Sequence, residues 1–299
     1  MFNRLLIIGC GLIGSSILRA ASSKKLSKKI FIYEKSNKNI SEVKKLKIPC
    51  QILKNLNKDI SDIDFVIICT PMSEYHRIIP KLNAHLSSKS IITDVGSTKT
   101  NVLKLIKKQL EKKLKWILSH PIAGSEVSGP EYGNKHLFLN KWCVIIKEKT
   151  TNLKKLKVLK KFWKKLGSQV IFMNANSHDK IFSITSHLPH LIAYNLIKTA
   201  KDFEKVQKNQ LIKFSAGGLR DFSRIAASNE IMWRDVFFSN KKNMISAINL
   251  FMNNLKLFKK NIEKNEDKQL IKKLKNSKKV RKQIIKLKQD IDKPDFGRE

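Results

Sequence analysis

The run Gly9-Cys10-Gly11-Leu12-Ile13-Gly14 constrains this chain more than any other feature, because it stands between an apolar stretch, Arg4 to Ile8, and a helical pattern beginning near Leu12. The three glycines have separate mechanical uses. Gly9 permits a tight turn, Gly11 lets the backbone approach a pyrophosphate resting on the helix N-terminus, and Gly14 lets helix and strand pack closely. The next β-rich run ends at Glu34, 20 residues after Gly14, where a carboxylate accepts hydrogen bonds from adenine-ribose hydroxyls and repels a 2′-phosphate. NAD is therefore expected over NADP, although Lys35 and Ser36 follow directly. Leu12 and Ile13, opening the helix, and Thr70 and Pro71, at the end of a later strand, complete the expected cofactor-binding set.

From residue 4 to about 173, short β-rich runs alternate with helical patterns: Arg4 to Ile8, Lys29 to Glu34, Asp64 to Thr70, Ser90 to Val95, Lys115 to Ser119, Lys141 to Lys147 and Ser168 to Met173. Several, such as Phe65-Val66-Ile67-Ile68-Cys69, are apolar without alternation, as strands become when helices cover both faces of a parallel sheet. The expected fold is an α/β, Rossmann-type doubly wound sheet over 1–174, followed by an all-α domain over 175–299. Helices are expected at Ser177 to Ala200, Asp202 to Ser215, Asp221 to Ala227, Asn229 to Lys260 and around Lys264 to Asp290. The last carries Leu270, Leu274, Ile284, Leu287 and Ile291 among many lysines. That pattern suits either an amphipathic helix laid on a partner surface or a solvated tail that frays.

Against 24 acidic residues stand 61 basic ones, a net charge of +37 in 299 residues, which first points to a polyanion partner. Only eight of the basic residues are arginine, whereas readers of phosphates and bases favour the arginine fork. The lysines recur in every segment, so no nucleic-acid partner is expected. The four cysteines, Cys10, Cys50, Cys69 and Cys143, show neither CxxC nor CxxH spacing, which argues against a metal site or a disulfide framework. Arg4 and the apolar run to Leu18 imitate a signal peptide, but the glycine spacing explains that run, and no other approaches the ~18 residues that span a bilayer. A cytoplasmic protein without membrane contact is expected.

Two turns leave the carboxyl edge of the expected sheet: Asp94-Val95-Gly96-Ser97-Thr98-Lys99, and Ser119-His120-Pro121-Ile122-Ala123-Gly124-Ser125-Glu126. A histidine just past a strand end, stiffened by Pro and Gly, is placed where a base is useful: imidazole can accept a hydroxyl proton while a hydride leaves for a nicotinamide. His120 is therefore the expected catalytic base, with Ser97 to orient it. In the helical half, Ser186-His187-Leu188-Pro189-His190 puts two histidines on one face, without a third ligand for a metal. Three of the eight arginines cluster in Gly217 to Asp235, where retained arginine suggests bidentate carboxylate binding. For Arg234 with Asp235, an ion pair bridging helices is the preferred reading.

Taken in order, GCGLIG, DVGSTK, HPIAGSEVSGPEYG, SHLPH and GGLRDFSRIAASNEIMWRDVF resemble the successive motifs of the prephenate dehydrogenase family, over about residues 4 to 260. The resemblance implies oxidative decarboxylation of prephenate to 4-hydroxyphenylpyruvate, or of arogenate to tyrosine, in a homodimer joined through the helical domains. By the same resemblance His120 matches the catalytic histidine, Ser97 the serine that holds the substrate hydroxyl and that histidine, and Arg224 the arginine for a substrate carboxylate. His190, Trp233, Ser125 and Glu126 would line the pocket, and Asp221 would reach it from the other subunit. No chorismate mutase segment is expected before residue 4, and nothing after residue 260 resembles a regulatory tyrosine-binding domain. Two alternatives are a β-hydroxyacid dehydrogenase type, with a catalytic lysine in its second domain, and a nucleic-acid-binding or NAD-sensing protein without turnover.

Overall fold

In the computed structural model, which describes residues 1–57, 60–207 and 211–287, the apolar runs of the first half form one six-stranded parallel sheet. Its strands are β1 (Phe2–Ile8), β2 (Ser27–Tyr33), β3 (Gln51–Leu53), β4 (Phe65–Ile68), β5 (Ile91–Asp94) and β6 (Lys115–Trp116), in the order β3-β2-β1-β4-β5-β6. Helices α1 (Leu12–Ser23), α2 (Asn37–Lys45), α3 (Tyr75–His85) and α4 (Thr100–Gln109) run between them. Leu6, Ile8, Val66 and Ile68 belong to the core on one face, while Leu5, Ile7, Phe65 and Ile67 belong to the core on the other. With both faces covered, neither strand has a polar side to alternate with. The strand order reverses between β1 and β4, the place where open α/β sheets form a ligand crevice. β3, at three residues, is too short to be read from periodicity.

The expected strand Lys115 to Ser119 divides. Ile117 N–H still donates to Ile92 O on β5 (2.8 Å), but Leu118 O accepts from Ile146 N (2.9 Å), so the chain changes sheets within one residue. β5 ends at Asp94, whose carboxylate takes the Ser119 N–H (3.3 Å) in place of a strand carbonyl. The chain continues as β7 (Ser119–Pro121), antiparallel to β8 (Trp142–Ile146), which pairs in parallel with β9 (Gln169–Met173). α5 (Leu153–Leu166) joins β8 to β9. His120 thus sits on a short strand at the junction of two sheets.

From Asn174 onward the described secondary structure is all helical. α6 (Ala175–Phe182) begins with Asn174 Oδ1 accepting the Ser177 N–H (2.8 Å) and runs through a π turn, Ser183–His187, into α7 (Leu188–Gln207). Pro189 has no N–H to return to the preceding turn, and the helix widens there. A 3-10 turn, Leu211–Phe214, leads to α8 (Gly217–Ala226), α9 (Glu230–Ser239), α10 (Lys241–Glu263) and α11 (Asp267–Lys286). The expected helix Asn229 to Lys260 is broken at Asn240, which is buried and donates to Asp179 O (2.8 Å) and is non-helical (φ −105°, ψ 27°). The expected helix Asp202 to Ser215 is instead the end of α7 and the 3-10 turn, and α8 begins four residues before the expected Asp221. The stretch from 288 to 290 and Ile291 lie outside the described residues. Asn101 Nδ2 donates to Ser239 O (2.7 Å), Thr98 Oγ1 and Ser239 Oγ lie 2.7 Å apart, and Ser73 N donates to Asp235 Oδ2 (3.3 Å), joining the helical half to the carboxyl edge of the sheet.

Candidate active site

The glycine loop lies at the switch point, between the ends of β1 and β4. Gly9 has φ +87°, and a Cβ there would meet Thr70 Cγ2 at 2.8 Å. A Cβ on Gly14 would meet Gly9 O at 2.2 Å, so the first turn of α1 packs directly on the loop. A Cβ on Gly11, the N-cap of α1, would meet nothing within 4 Å, leaving open space in front of the helix N-terminus, formed by Leu12 and Ile13. Glu34 turns back toward this loop. Its Oε2 accepts the Cys10 N–H (2.7 Å), and its Oε1 accepts those of Lys35 (2.8 Å) and Ser36 (2.9 Å). Thr70 Oγ1 is buried beside Gly9 without a hydrogen-bond partner among the described residues, and Pro71 starts the 3-10 turn Met72–Glu74. An open helix N-terminus, a carboxylate fixed at the end of β2 and an orphaned hydroxyl make a cradle that fits a dinucleotide.

The second cluster surrounds His120. Beneath it, Asp94 and Lys99 form an ion pair (2.7 Å) with both side chains fully buried. Lys99 Nζ also donates to Ser119 O (2.6 Å), and Asp94 Oδ2 accepts from Tyr75 OH (3.2 Å) and Gly96 N (3.0 Å). From the helical half, His178 Nε2 lies 2.8 Å from His120 Nδ1, and Asp179 Oδ1 lies 2.8 Å from His178 Nδ1. The Phe182 ring closes this cluster at 5.0 Å from the His120 ring. Among the described residues His120 Nε2 makes no hydrogen bond, and the residue is half-buried. Burial above all, with the charge of Lys99 nearby, pushes its pKa well below 6.5, so at neutral pH the ring is a free base. The Ser97 side chain, in the turn before α4, makes no hydrogen bond to His120; its backbone carbonyl lies beside His187.

The third cluster lies on α7, α8 and α9. His190 stacks on Trp233 (3.8 Å, 23°), and its Nδ1 donates to Ser186 O (2.9 Å), a carbonyl of the π turn. Arg224 Nη1 reaches Glu126 Oε2 (3.4 Å), which also accepts from Ser125 Oγ (3.0 Å). Among the described residues, Arg224 Nε, Trp233 Nε1 and His187 Nε2 are buried without hydrogen-bond partners of good geometry. Buried donors left unpaired favour a ligand rich in acceptor oxygens. Asp221 is half-buried on α8, three residues before Arg224. The structure thus brings together His190, Trp233, Arg224, Glu126 and Ser125. His178, Asp179 and Asn240 lie in none of the motifs singled out in the sequence, and from DVGSTK only Ser97 is an expected site residue, although Asp94 and Lys99 form the two ends of that motif. Arg234 pairs with its neighbour Asp235 (2.8 Å), which in turn holds Ser73. All four cysteines are free, and no group of His, Cys, Asp and Glu among the described residues could hold a metal ion.

A Rossmann-type sheet with a glycine cradle, a neutral histidine at its carboxyl edge and an arginine on the helices that pack beside it define a dinucleotide-dependent oxidoreductase. The family described as "Prephenate dehydrogenase, nucleotide-binding domain" matches residues 18–172, and that described as "Prephenate dehydrogenase, dimerization domain" matches residues 174–276. The chain belongs to the prephenate dehydrogenase family. It is 30% identical to the cyclohexadienyl dehydrogenase of Zymomonas mobilis over 98% of both chains, and 28% identical to the prephenate dehydrogenase of Bacillus subtilis over 94% of this chain and 76% of that one. It is also similar to the crystal structure of Aquifex aeolicus prephenate dehydrogenase in complex with hydroxyphenyl propionate and NAD+ (33% identity, TM-score 0.88, covering 94% of this chain and 98% of that one).

Proposed function

We propose that the chain oxidatively decarboxylates prephenate to 4-hydroxyphenylpyruvate with NAD+, and that His120 takes the proton of the ring hydroxyl. The observation that carries this reading is His120 Nε2, the free nitrogen of a neutral ring, which makes no hydrogen bond among the described residues. The relative crystallised with NAD+ and a hydroxyphenyl acid supports the same pairing of cofactor and ligand. Gly9, Gly11, Leu12, Ile13, Gly14, Glu34, Thr70 and Pro71 hold NAD+, which when bound supplies the hydride acceptor.

His120 draws off the hydroxyl proton as a hydride leaves the same ring carbon. The carboxylate on the opposite ring carbon departs as carbon dioxide, its bonding pair completing the aromatic ring. The phenol oxygen recovers the proton from His120. Arg224 binds a substrate carboxylate, with His190, Trp233, Ser125 and Glu126 around it and Ser97 beside the hydroxyl. Aromatisation drives the step, so these residues mainly position the reactants and supply the base. A second copy of the chain docks on the apolar side chains exposed on α9 and α10, among them Phe238, Leu250, Met252 and Leu255, and Asp221 reaches its pocket. No described helix is long and apolar enough to cross a membrane.

A second reading, turnover of both prephenate and arogenate, is favoured by the relative described as a cyclohexadienyl dehydrogenase. Following reduced cofactor at 340 nm with each substrate separates the two readings, and turnover of neither overturns both. His120→Asn is expected to lose on the order of 10³-fold in kcat.

A further inference from the structure

We infer that His178 and Asp179 are positioning residues for His120, holding it across the boundary between the sheet and the helices as a base with one free nitrogen. The inference rests on the reading of His120 as the base.

The hydrogen-bond chain admits one arrangement of protons. Asp179 Oδ1 accepts the Lys99 N–H (2.8 Å) and Oδ2 the Thr100 N–H (2.8 Å), the amides of the N-cap and first residue of α4. Both oxygens are committed as acceptors at a helix N-terminus, which stabilises the ionised carboxylate. His178 Nδ1, 2.8 Å from Asp179 Oδ1, must then carry a hydrogen. His178 is fully buried, and burial keeps its ring neutral, so its Nε2 bears a lone pair. His120 Nδ1, 2.8 Å from that lone pair, must donate. The lone pair of neutral His120 is therefore on Nε2. When Nε2 takes a proton, the Nδ1–H bond becomes charge-assisted without any group moving, and Asp179 faces the new charge through His178.

The chain also crosses the fold twice. His120 is on β7, His178 and Asp179 are on α6, and Asp179 returns to the sheet half by capping α4. Asn240, between α9 and α10, donates to Asp179 O (2.8 Å) and so fixes the far end. Opening of the cleft between the halves would break the His120 to His178 bond and free His120 to adopt the other tautomer. The ionisable groups facing the two rings are Lys99 from the turn before α4, Asp94 from β5, His187 from the π turn, and Asp179. Phe182 packs on both rings, at 5.0 Å from His120 and 4.5 Å from His178.

The test has a chemical and a spectroscopic arm. His178→Leu, which removes the acceptor, is expected to lower kcat about 100-fold, to leave KM for substrate and NAD+ within about threefold, and to move the acid limb of the rate profile to lower pH. His178→Gln returns an acceptor oxygen and is expected to recover about tenfold of the lost rate. In wild-type protein, long-range 1H–15N spectra of the imidazoles, with His120 assigned by its loss in His120→Asn, are expected to show the Nδ1–H tautomer at neutral pH. An Nε2–H tautomer there overturns the inference whatever the activity, and whether or not the variants fold. So does an unchanged kcat and pH profile in folded His178→Leu. If wild-type protein oxidises neither prephenate nor arogenate, the proposed reaction fails, and the spectra still decide the hydrogen-bond chain.

Discussion

Lys99 Nζ lies 2.7 Å from Asp94 Oδ2, and neither side chain is reached by solvent. Burial lowers the Lys99 pKa, while Asp94 pulls it back up, so the pair depends on both members being present. Lys99→Met leaves a buried carboxylate facing only neutral donors, and is expected to destabilise the fold by about 3–5 kcal/mol. The double variant Lys99→Met with Asp94→Leu removes the orphaned charge and is expected to recover much of the loss. Urea unfolding at pH 7 measures both, and strictly additive costs would count against the pairing.

How far the sequence was legible depended on how local each constraint was. The glycine loop answers to the backbone geometry of six consecutive residues, and its reading needs no distant partner. His120 was legible because it ends an apolar run and precedes a proline. Lys99 could not stand out in a chain with 61 basic residues, since its burial is decided by Asp94 and Ser119 once β5 and β7 are in place. His178 meets His120 58 residues away, and nothing in Ser177-His178-Asp179 announces that contact. Asn240 lies inside a continuous helical pattern, and the bond from its side chain to Asp179 O, 61 residues away, has no local signal.

Glu34 accepts three main-chain N–H groups at 2.7, 2.8 and 2.9 Å, which fix its carboxylate in place facing the glycine loop. A 2′-phosphate brought to the same place meets that charge. Wild-type protein is expected to prefer NAD+ to NADP+ by at least tenfold in kcat/KM, about 1.4 kcal/mol. Glu34→Gln should narrow the ratio by weakening NAD+ binding and admitting NADP+. Equal use of both cofactors by the wild type would overturn this role.

Arg224 is held by Glu126 at 3.4 Å, a long contact that a substrate carboxylate can replace with a bidentate one. Hydrogen bonds from the Glu126 main chain and from Ser125 keep the Glu126 carboxyl below the usual carboxylate range, so it competes as an anion at neutral pH. Arg224→Ala is expected to raise KM for prephenate about 100-fold, near 3 kcal/mol, with kcat moving much less. Arg224→Lys should restore only part, because an ammonium lacks the fork. Glu126→Gln, by weakening the competitor, should lower KM. Steady-state kinetics at fixed NAD+ would show all three, and a KM unchanged in Arg224→Ala would remove Arg224 from the substrate site.

His187 is 1% exposed, with Asn240 Nδ2 3.2 Å from its Nδ1, and burial pushes its pKa from 6.5 down to about 4. A histidine depressed in the folded state binds its proton more readily when unfolded. Its stabilisation is therefore complete above pH ~6.5 and is lost as pH falls toward 4. A shift of this size amounts to about 3 kcal/mol over that window. His120 and His178, also depressed by burial, steepen the same slope, whereas the Asp179 carboxyl, lowered from 3.8, acts below it. Thermal or urea midpoints between pH 7.5 and 4.5 are expected to fall steadily in the wild type. In His187→Gln, which keeps a polar partner for Asn240 but cannot charge, the slope should be smaller by about one proton, ~1.4 kcal/mol per pH unit near pH 5. A flat wild-type profile, or an identical slope in His187→Gln, would show that His187 does not carry this acid sensitivity.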